Sequence, residues 1–368
     1  MTLPILYKKS KTDAIVFCTI ETHDEVILVV TGQVGTESPI KHTTTCAPKN
    51  VGRSNETTAA QQADLEAQSK WDKKIKGGYV TDESGESSVM LPQKVKVYQD
   101  QVKNVEFPCY DSPKLNGVNI TVRRTGADLA FTSRGGDPRP PLKHLTGELC
   151  EAMVALDITE VNGEVYKHGE FLQDIQSATT KANDLTESLE FHIFDIPSLE
   201  GVPYSKRTKI LSLLSKILQD IGAKSTFVIP VTEQVLSHEA LADHHRQCVN
   251  SGYEGLVIYN AKGVYKHNQR SSDVFKLKVA QDAEFKVVGH NLDKHGHAVF
   301  HCITPEGLTF KVKTKGSDHQ RLNLAAVAGD FHGKWLKVEF EEYSKDLKPL
   351  KPVGLAFRSC NEAGEPLE

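Results

Sequence analysis

The chain has 368 residues, of which 39% are hydrophobic and 25% charged, and its 44 Lys plus Arg against 48 Asp plus Glu give a net charge of −4. This composition excludes a collagen-like, wholly disordered or disulfide-scaffold protein, and the balanced charge lacks the basic excess of a small dedicated nucleic-acid binder. The length predicts two or three domains. No apolar run approaches the roughly 20 residues of a membrane helix, so we expect a cytoplasmic protein.

The first part of the chain is predicted to form a small domain over residues 1–88. Residues 14–20 and 25–31 have strand patterns, and residues 42–58 are polar enough for a loop. A helix is predicted over residues 58–76, because an apolar residue recurs at every fourth position from Ala63 to Ile75, and Gly77 ends it. Residues 81–88 (TDESGESS) are typical of an exposed linker.

The rest of the chain divides into two further predicted domains, over residues 89–281 and 282–368. The first mixes helices at 205–220 and 237–250 with strands at 118–123, 189–196, 255–259 and 274–279. The second is almost purely strand and turn, which favours a small barrel. We therefore predict an α+β, multidomain fold. Seven dispersed cysteines without a CxxC pair argue against a zinc site.

One lysine stands where a nucleophile could be placed. In residues 105–122 (VEFPCYDSPKLNGVNITV), Lys114 follows a proline and precedes Asn116 and Gly117, ahead of an alternating strand. This pattern places an amine at a tight turn beside a sheet. Such an amine is either an ordinary surface group or a nucleophile whose pKa neighbouring cations depress.

A second pair of lysines points to an anion. In the strand 275–279, the period of two puts Lys276 and Lys278 on one face and apolar residues on the other. The pair indicates either a phosphate between two ammonium groups or a solvated edge strand. Glu254 and Glu164 each lie beside a strand, and their hard oxygens suit Mg²⁺ or a ribose hydroxyl, although strand-end surface charges have the same pattern.

In this order the segments resemble the covalent nucleotidyltransferase superfamily, and most closely the small ATP-dependent DNA ligases of viruses and bacteriophages. The resemblance covers residues 100–360 and depends on an ordered set of motifs. These are 114–117 (KLNG), 132–136 (TSRGG), 162–164 (NGE), 191–195 (FHIFD), 253–255 (YEG), 276–278 (KLK) and 353–358 (VGLAFR). It implies a nucleotidyltransferase domain followed by an OB-fold barrel.

The resemblance implies a catalytic set. Lys114 would attack the α-phosphorus of ATP and become a lysyl-adenylate, with pyrophosphate leaving. Lys276 and Lys278 would neutralise the α-phosphate. Arg358, on the mobile OB domain, would orient the pyrophosphate and then move away. The AMP would pass to the 5′-phosphate of a nick, and the 3′-hydroxyl would displace it.

The resemblance also implies binding residues. Glu164 would accept from the ribose hydroxyl and Phe194 would stack on adenine, while Asn116 would lie in the nucleotide site. Arg134 would grip the 5′-phosphate of the nick, and Arg270 is a further candidate for a phosphate contact.

Glu254 would hold Mg²⁺, which Mn²⁺ can replace. The implied partner is nicked duplex DNA, bound by a monomer in the cytoplasm, or the host cytoplasm for a viral protein.

Two residues depart from the nucleophile motif of DNA ligases. Asn116 stands where they usually carry Asp, and Asn119, a candidate DNA contact, stands where they usually carry Arg. Asn119 lacks the planar two-pronged grip of Arg on a phosphate, so sealing is expected to be slower or the phosphate to be held elsewhere. The departures keep open an RNA ligase. A guanylyltransferase and a non-catalytic nucleic-acid-binding module with an inert lysine are also compatible with these residues.

The amino-terminal domain is similar to a WGR domain, a module that can bind DNA ends and breaks. Thr31 and Gln33 stand where that family carries its Trp and Arg. We expect the domain to add affinity for DNA through Lys41, Lys49 and Arg53, unless its role is protein binding or purely structural.

Overall fold

A computed structural model describes residues 1–10, 12–87, 90–278, 281–362 and 364–367. Its amino-terminal part is a four-stranded antiparallel sheet covered by one helix. The elements are β1 (Leu6–Lys9), β2 (Ile15–His23), β3 (Val26–Gln33), β4 (Ile40–Thr45) and α1 (Ala59–Lys76). Thr58 caps α1, accepting from the Gln61 amide, and Ala63 and Ala67 are fully buried on its inner face. The predicted helix is confirmed, whereas β4 lies where a loop was expected because its polar residues carry no apolar alternation.

The central part contains two five-stranded sheets that face each other. Its strands are β5 (Lys94–Val97), β6 (Cys109–Lys114), β7 (Val118–Thr125), β8 (Asp128–Ser133), β9 (Glu160–Tyr166), β10 (Glu190–Asp195), β11 (Thr226–Val228), β12 (Thr232–Val235), β13 (Gly255–Asn260) and β14 (Arg270–Lys278). One sheet has the order β11-β10-β9-β7-β8 and the other β12-β6-β13-β14-β5.

Four helices accompany these sheets: α2 (Thr146–Ala155), α3 (Leu172–Thr180), α4 (Tyr204–Asp220) and α5 (His238–Asn250). Helix α4 buries Leu211, Leu214 and Leu218 in the main core, and it begins one residue before the predicted start at 205. Ser237, where the second predicted helix was expected to begin, caps α5 by accepting from the Ala240 amide.

The carboxyl-terminal part is a ring of five strands. These are β15 (Gln281–Leu292), β16 (Ala298–Ile303), β17 (Thr309–Thr314), β18 (Trp335–Phe340) and β19 (Val353–Arg358), which close in the order β15-β16-β17-β19-β18 around an apolar core. One helix, α6 (Asp318–Ala326), interrupts a segment that was expected to be almost entirely strand and turn. None of its residues is buried, which explains the weak apolar signal.

The described chain is thus mixed α+β and multidomain. The predicted boundary at 88/89 lies outside the described residues, as does Val279 of the predicted strand 274–279, and the boundary at 281/282 falls at the start of β15. The three-domain division stays a prediction. Among the described residues no helix is long and apolar enough to span a membrane.

Candidate active site

Strand register places the three lysines together. Lys114 at the end of β6 lies opposite Gly255 of β13, which lies opposite Lys278 of β14. Two positions earlier on β14, Lys276 lies opposite Val257 of β13. Because alternate side chains share one face of a sheet, the lysines project into the same cleft.

Two glycines allow this close arrangement. Gly255 has φ +151, and a Cβ there would lie 2.1 Å from the Leu277 carbonyl oxygen on the adjacent strand. A Cβ at Gly117 would lie 2.3 Å from the Val165 carbonyl oxygen. A side chain at either position would push apart the strands that carry Lys278 and Glu164.

Two adjoining cavities lie between the sheets, with Lys114 at their junction. The first is largely apolar; Phe194, Leu115 and Ile229 contribute to its wall. The second is a cationic cleft that includes Lys276, Lys278 and Glu254. Six residues line both: Val95, Lys114, Leu115, Asn119, Arg134 and Glu164. The pair is therefore suited to a ligand with an apolar ring at one end and phosphates at the other.

A chain of alternating charges crosses the cleft. The ammonium group of Lys114 donates to Glu254, and the other Glu254 oxygen lies 3.3 Å from Lys278. Lys278 in turn donates to Glu341, which follows β18, and the second oxygen of Glu341 accepts from Lys351 at 2.7 Å. Lys114 and Lys278 therefore each have a carboxylate beside them already, which a phosphate would have to displace or share.

The two strand lysines differ electrostatically. Burial lowers the pKa of Lys276, and the neighbouring Lys278 and Lys114 ammonium groups lower it further. Burial also opposes the charge of Lys278, but its contacts with Glu341 and Glu254 prevail and raise its pKa. A bound anion would therefore stabilise the charge of Lys276 more than that of Lys278, because the described carboxylates neutralise Lys276 less.

Glu164 is the most perturbed carboxyl group of the cleft. Burial raises its pKa from 4.5 to about 7, against the opposing effect of Lys114 and Arg134. The nearby Glu254 adds to the increase, and a hydrogen bond with Asn119 opposes it. A group whose pKa lies near neutral pH can gain or lose its proton when a ligand binds.

The structure brings most of the sequence-predicted residues to the two cavities. Asn116, next to the nucleophile candidate, lines the cationic cleft and donates to Glu342 at 2.9 and 3.1 Å. Asn119 is buried and accepts from Asn162 at 3.2 Å, so its side chain belongs to a network inside the protein.

Two predicted arginines do not line either cavity. Arg270, at the start of β14, donates to the carbonyl oxygen of Val95 and is exposed. Arg358, at the end of β19, lies 3.5 Å from Glu284 of the barrel. Strand position explains both: each arginine is at a strand end away from the Lys276–Lys278 segment.

The amino-terminal candidates lie apart from the cavities, on the amino-terminal sheet and the segment between it and α1. Lys41 and Arg53 are exposed, while Lys49 donates to Glu66 at 2.8 Å. The amino-terminal part contacts the central part through Lys76, whose ammonium group lies 2.5 Å from Asp137.

Sequence reasoning missed several lining residues. Ser112 is buried and lines the apolar cavity; its position two residues before Lys114 in one strand could have indicated it. Arg139 and Lys351 add cations to the cleft. Glu341 reaches the cleft from a distant part of the chain, and Glu342 contacts Asn116 at its edge, so no local pattern could have found them.

Comparison with known proteins gives this geometry a context. Residues 89–278, just over half of the chain, match the family described as "ATP dependent DNA ligase domain". The DNA ligase of African swine fever virus is 28% identical over 350 residues, which cover 88% of this chain and 81% of that protein. The DNA ligase of Haemophilus influenzae is 27% identical over 140 residues, covering 36% and 48%.

Solved structures share the fold. A structure from a study of Lig E DNA ligases has a TM-score of 0.58 at 24% identity and covers 73% of this chain and 99% of that one. Another, described as Pmar-Lig_Pre, has a TM-score of 0.64 at 16% identity and covers 83% and 74%. The family match, with the nucleophile candidate set among cations beside an apolar pocket, leads to one conclusion: this chain belongs to the ATP-dependent DNA ligase family.

Proposed function

We propose that this ligase seals 5′-phosphate/3′-hydroxyl nicks in duplex DNA through an AMP group carried on Lys114. The observation that carries this proposal is the position of Lys114 at the junction of an apolar cavity and a cationic cleft. A nucleotide that fills both would present its α-phosphorus near the lysine nitrogen.

In the first step, the Nζ–P bond forms as the bond from the α-phosphorus to the bridging oxygen breaks, and the electron pair leaves with pyrophosphate. Lys114 attacks as the neutral amine, and the proton that it loses passes to solvent. Lys276 and Lys278 stabilise the negative charge on the phosphoryl oxygens in the transition state.

The base and sugar are held in the apolar cavity. Phe194 stacks on adenine, and the Glu164 carboxylate accepts from the ribose hydroxyl. Arg134, which lines both cavities, contacts the 5′-phosphate of the nick when AMP is transferred to it. The 3′-hydroxyl then attacks that phosphate and AMP leaves.

A divalent cation fits this cleft only in part. Among the described residues no group of three or more His, Cys, Asp and Glu could hold a metal. Mg²⁺ is often bound by one or two carboxylates with the remaining positions taken by water and substrate phosphates, and Glu254 beside the phosphate cleft suits that mode. The ion, or Mn²⁺ in its place, would supply charge neutralisation on the phosphates.

The flanking domains would hold the duplex. The carboxyl-terminal ring is assigned as an OB fold and the amino-terminal domain as a WGR-like module that contacts DNA through Lys41, Lys49 and Arg53. The resemblance gives Arg358 a role at the pyrophosphate, which requires the barrel to turn, because that residue now pairs with Glu284. We assign the protein as a monomer.

Incubation with ATP labelled on the α-phosphate tests the covalent step. We expect label on the wild-type protein and none on Lys114→Ala, and we expect GTP to label it poorly. Label that persists in Lys114→Ala would overturn the assignment of the nucleophile, and preferential labelling by GTP would favour a guanylyltransferase.

A sealing assay separates DNA from RNA ligation. The protein with ATP and Mg²⁺ is given a DNA nick, an RNA nick and single-stranded RNA, and we expect sealing of the DNA nick. Sealing of single-stranded RNA alone would refute the nick-sealing proposal.

A further inference from the structure

We infer that Asn116 and Glu342 form a latch that holds the carboxyl-terminal barrel against the nucleotide cleft. The inference rests on the proposed function only where the latch is said to affect catalysis. Its starting point is the residue that departs from the nucleophile motif: the Asn116 amide nitrogen donates to both oxygens of Glu342, at 2.9 and 3.1 Å.

The chemistry of this contact favours a hydrogen-bond donor at position 116. A carboxylate only accepts hydrogen bonds, so its partner must donate, and the amide nitrogen of Asn does so without adding charge. An Asp at position 116 would place two carboxylates at the same distance, where like charges repel. Asn116 and Glu342 are thus a matched pair, and the departure from the usual Asp has a structural cause.

The latch has a neighbouring contact that strengthens it. Glu341, the preceding residue, accepts from Lys278 of β14 and from Lys351. Glu341 and Glu342, which are adjacent in the chain, therefore contact Lys278 of β14 and Asn116 at the same time. Apart from Lys351, which is exposed, these side chains are partly buried, so the contacts are partly shielded from water.

The same contacts place the barrel over the cleft. Glu341 and Lys351 line the cavity that contains Lys114, Lys276 and Lys278. Loss of the latch would therefore release the barrel and, at the same time, alter the lining of the cleft.

A charge-swap experiment on the full chain tests the latch. Asn116→Asp should open the protein, seen as a larger radius of gyration by small-angle X-ray scattering, and slow lysyl-adenylate formation about tenfold, the effect of a lost charge-assisted hydrogen bond. Adding Glu342→Gln restores one donor and one acceptor in exchanged positions. The double variant should return to the wild-type radius and to within about threefold of its rate.

A matched control removes another contact between the same two parts. Lys345 in the barrel lies 3.1 Å from Asp174 in α3, outside the cleft; the lysine is largely exposed and the aspartate partly so. Lys345→Ala should leave radius and rate unchanged within error. An unchanged radius in Asn116→Asp, or equal losses in the single and double variants, would overturn the latch. If the wild-type chain forms no lysyl-adenylate, the proposed function fails, while the scattering comparison still tests the latch.

Discussion

Lys114 and Lys278 share the carboxylate of Glu254, which contacts one ammonium group through each oxygen. The contact joins β6 and β14 across the glycine that separates them in the sheet. A single carboxylate thus keeps two cations close together before any phosphate is bound. The nucleotide meets an assembled site, and its binding energy is not used to bring the lysines together.

The pKa of Glu164 predicts a pH dependence. Since burial raises this pKa from 4.5 to about 7, the folded state holds an extra proton between those values. Its contribution to the free energy of unfolding is present below pH 4.5 and is lost as pH rises through about 7. Glu164→Gln should remove this decrease in the free energy of unfolding with rising pH. Chemical denaturation at about one-unit steps from pH 5 to pH 8 would measure it. The same fall in both proteins would mean that another group titrates.

Lys276 is predicted to act mainly in the transition state. Lys276→Met should lower the rate of lysyl-adenylate formation about 10²–10³-fold, with a smaller change in KM for ATP, because the charge to be stabilised develops during the step. Lys96→Met is the matched control, since Lys96 lies on the adjacent strand and donates to Gln101 at 3.2 Å. A comparable loss in both variants would indicate a general effect of charge.

Phe194 is predicted to contribute stacking on the base. Phe194→Ala should raise KM for ATP about tenfold or more, in keeping with about 1–3 kcal/mol for a base on an aromatic ring. Phe227, on the neighbouring strand β11 and 37% exposed, does not line the apolar cavity and provides the control. The stacking role would be refuted by equal KM values for the Phe194 variant and the wild type.

The buried ion pair behind the apolar cavity is predicted to stabilise the fold. Arg207 and Asp195 are each about 1% exposed and make two hydrogen bonds, at 2.6 and 3.0 Å. Arg207→Met should lower the free energy of unfolding by about 3–5 kcal/mol, because it leaves a buried carboxylate unpaired. Arg246→Met, which breaks an exposed pair with Asp243, should change it by less than about 0.5 kcal/mol. Denaturant titration of both variants measures the difference.

The amino-terminal domain is predicted to add affinity for DNA. Changing Lys41, Lys49 and Arg53 together to Gln should weaken binding of a nicked duplex. The slope of the logarithm of the binding constant against the logarithm of salt concentration should become shallower by about 0.9 for each phosphate that is no longer neutralised. A control triple to Gln, at Lys206, Lys209 and Lys216 of α4, carries the same charge change. Equal affinities for the two triple variants would favour a structural or protein-binding role.

The site could be anticipated from sequence where chemistry follows local pattern. The period of two in β14 correctly put Lys276 and Lys278 on one face. The contributions of Glu341, Glu342 and Lys351 could not be anticipated, because they depend on how the barrel meets the central domain. Arg270 and Arg358 show the same limit, since a motif fixes residue type but not which way a strand end faces.

The strand that completes the pocket sets the order in which the protein can be assembled. Val95 of β5 lines both cavities, and among the described strands β5 pairs only with β14. The hydrogen bond from Leu91 to Asn268, just before this pairing, spans 177 residues of chain. During synthesis β5 cannot pair with β14 until nearly three quarters of the polypeptide has emerged. The nucleotide pocket therefore forms late, and the contacts that complete it are among the slowest to form.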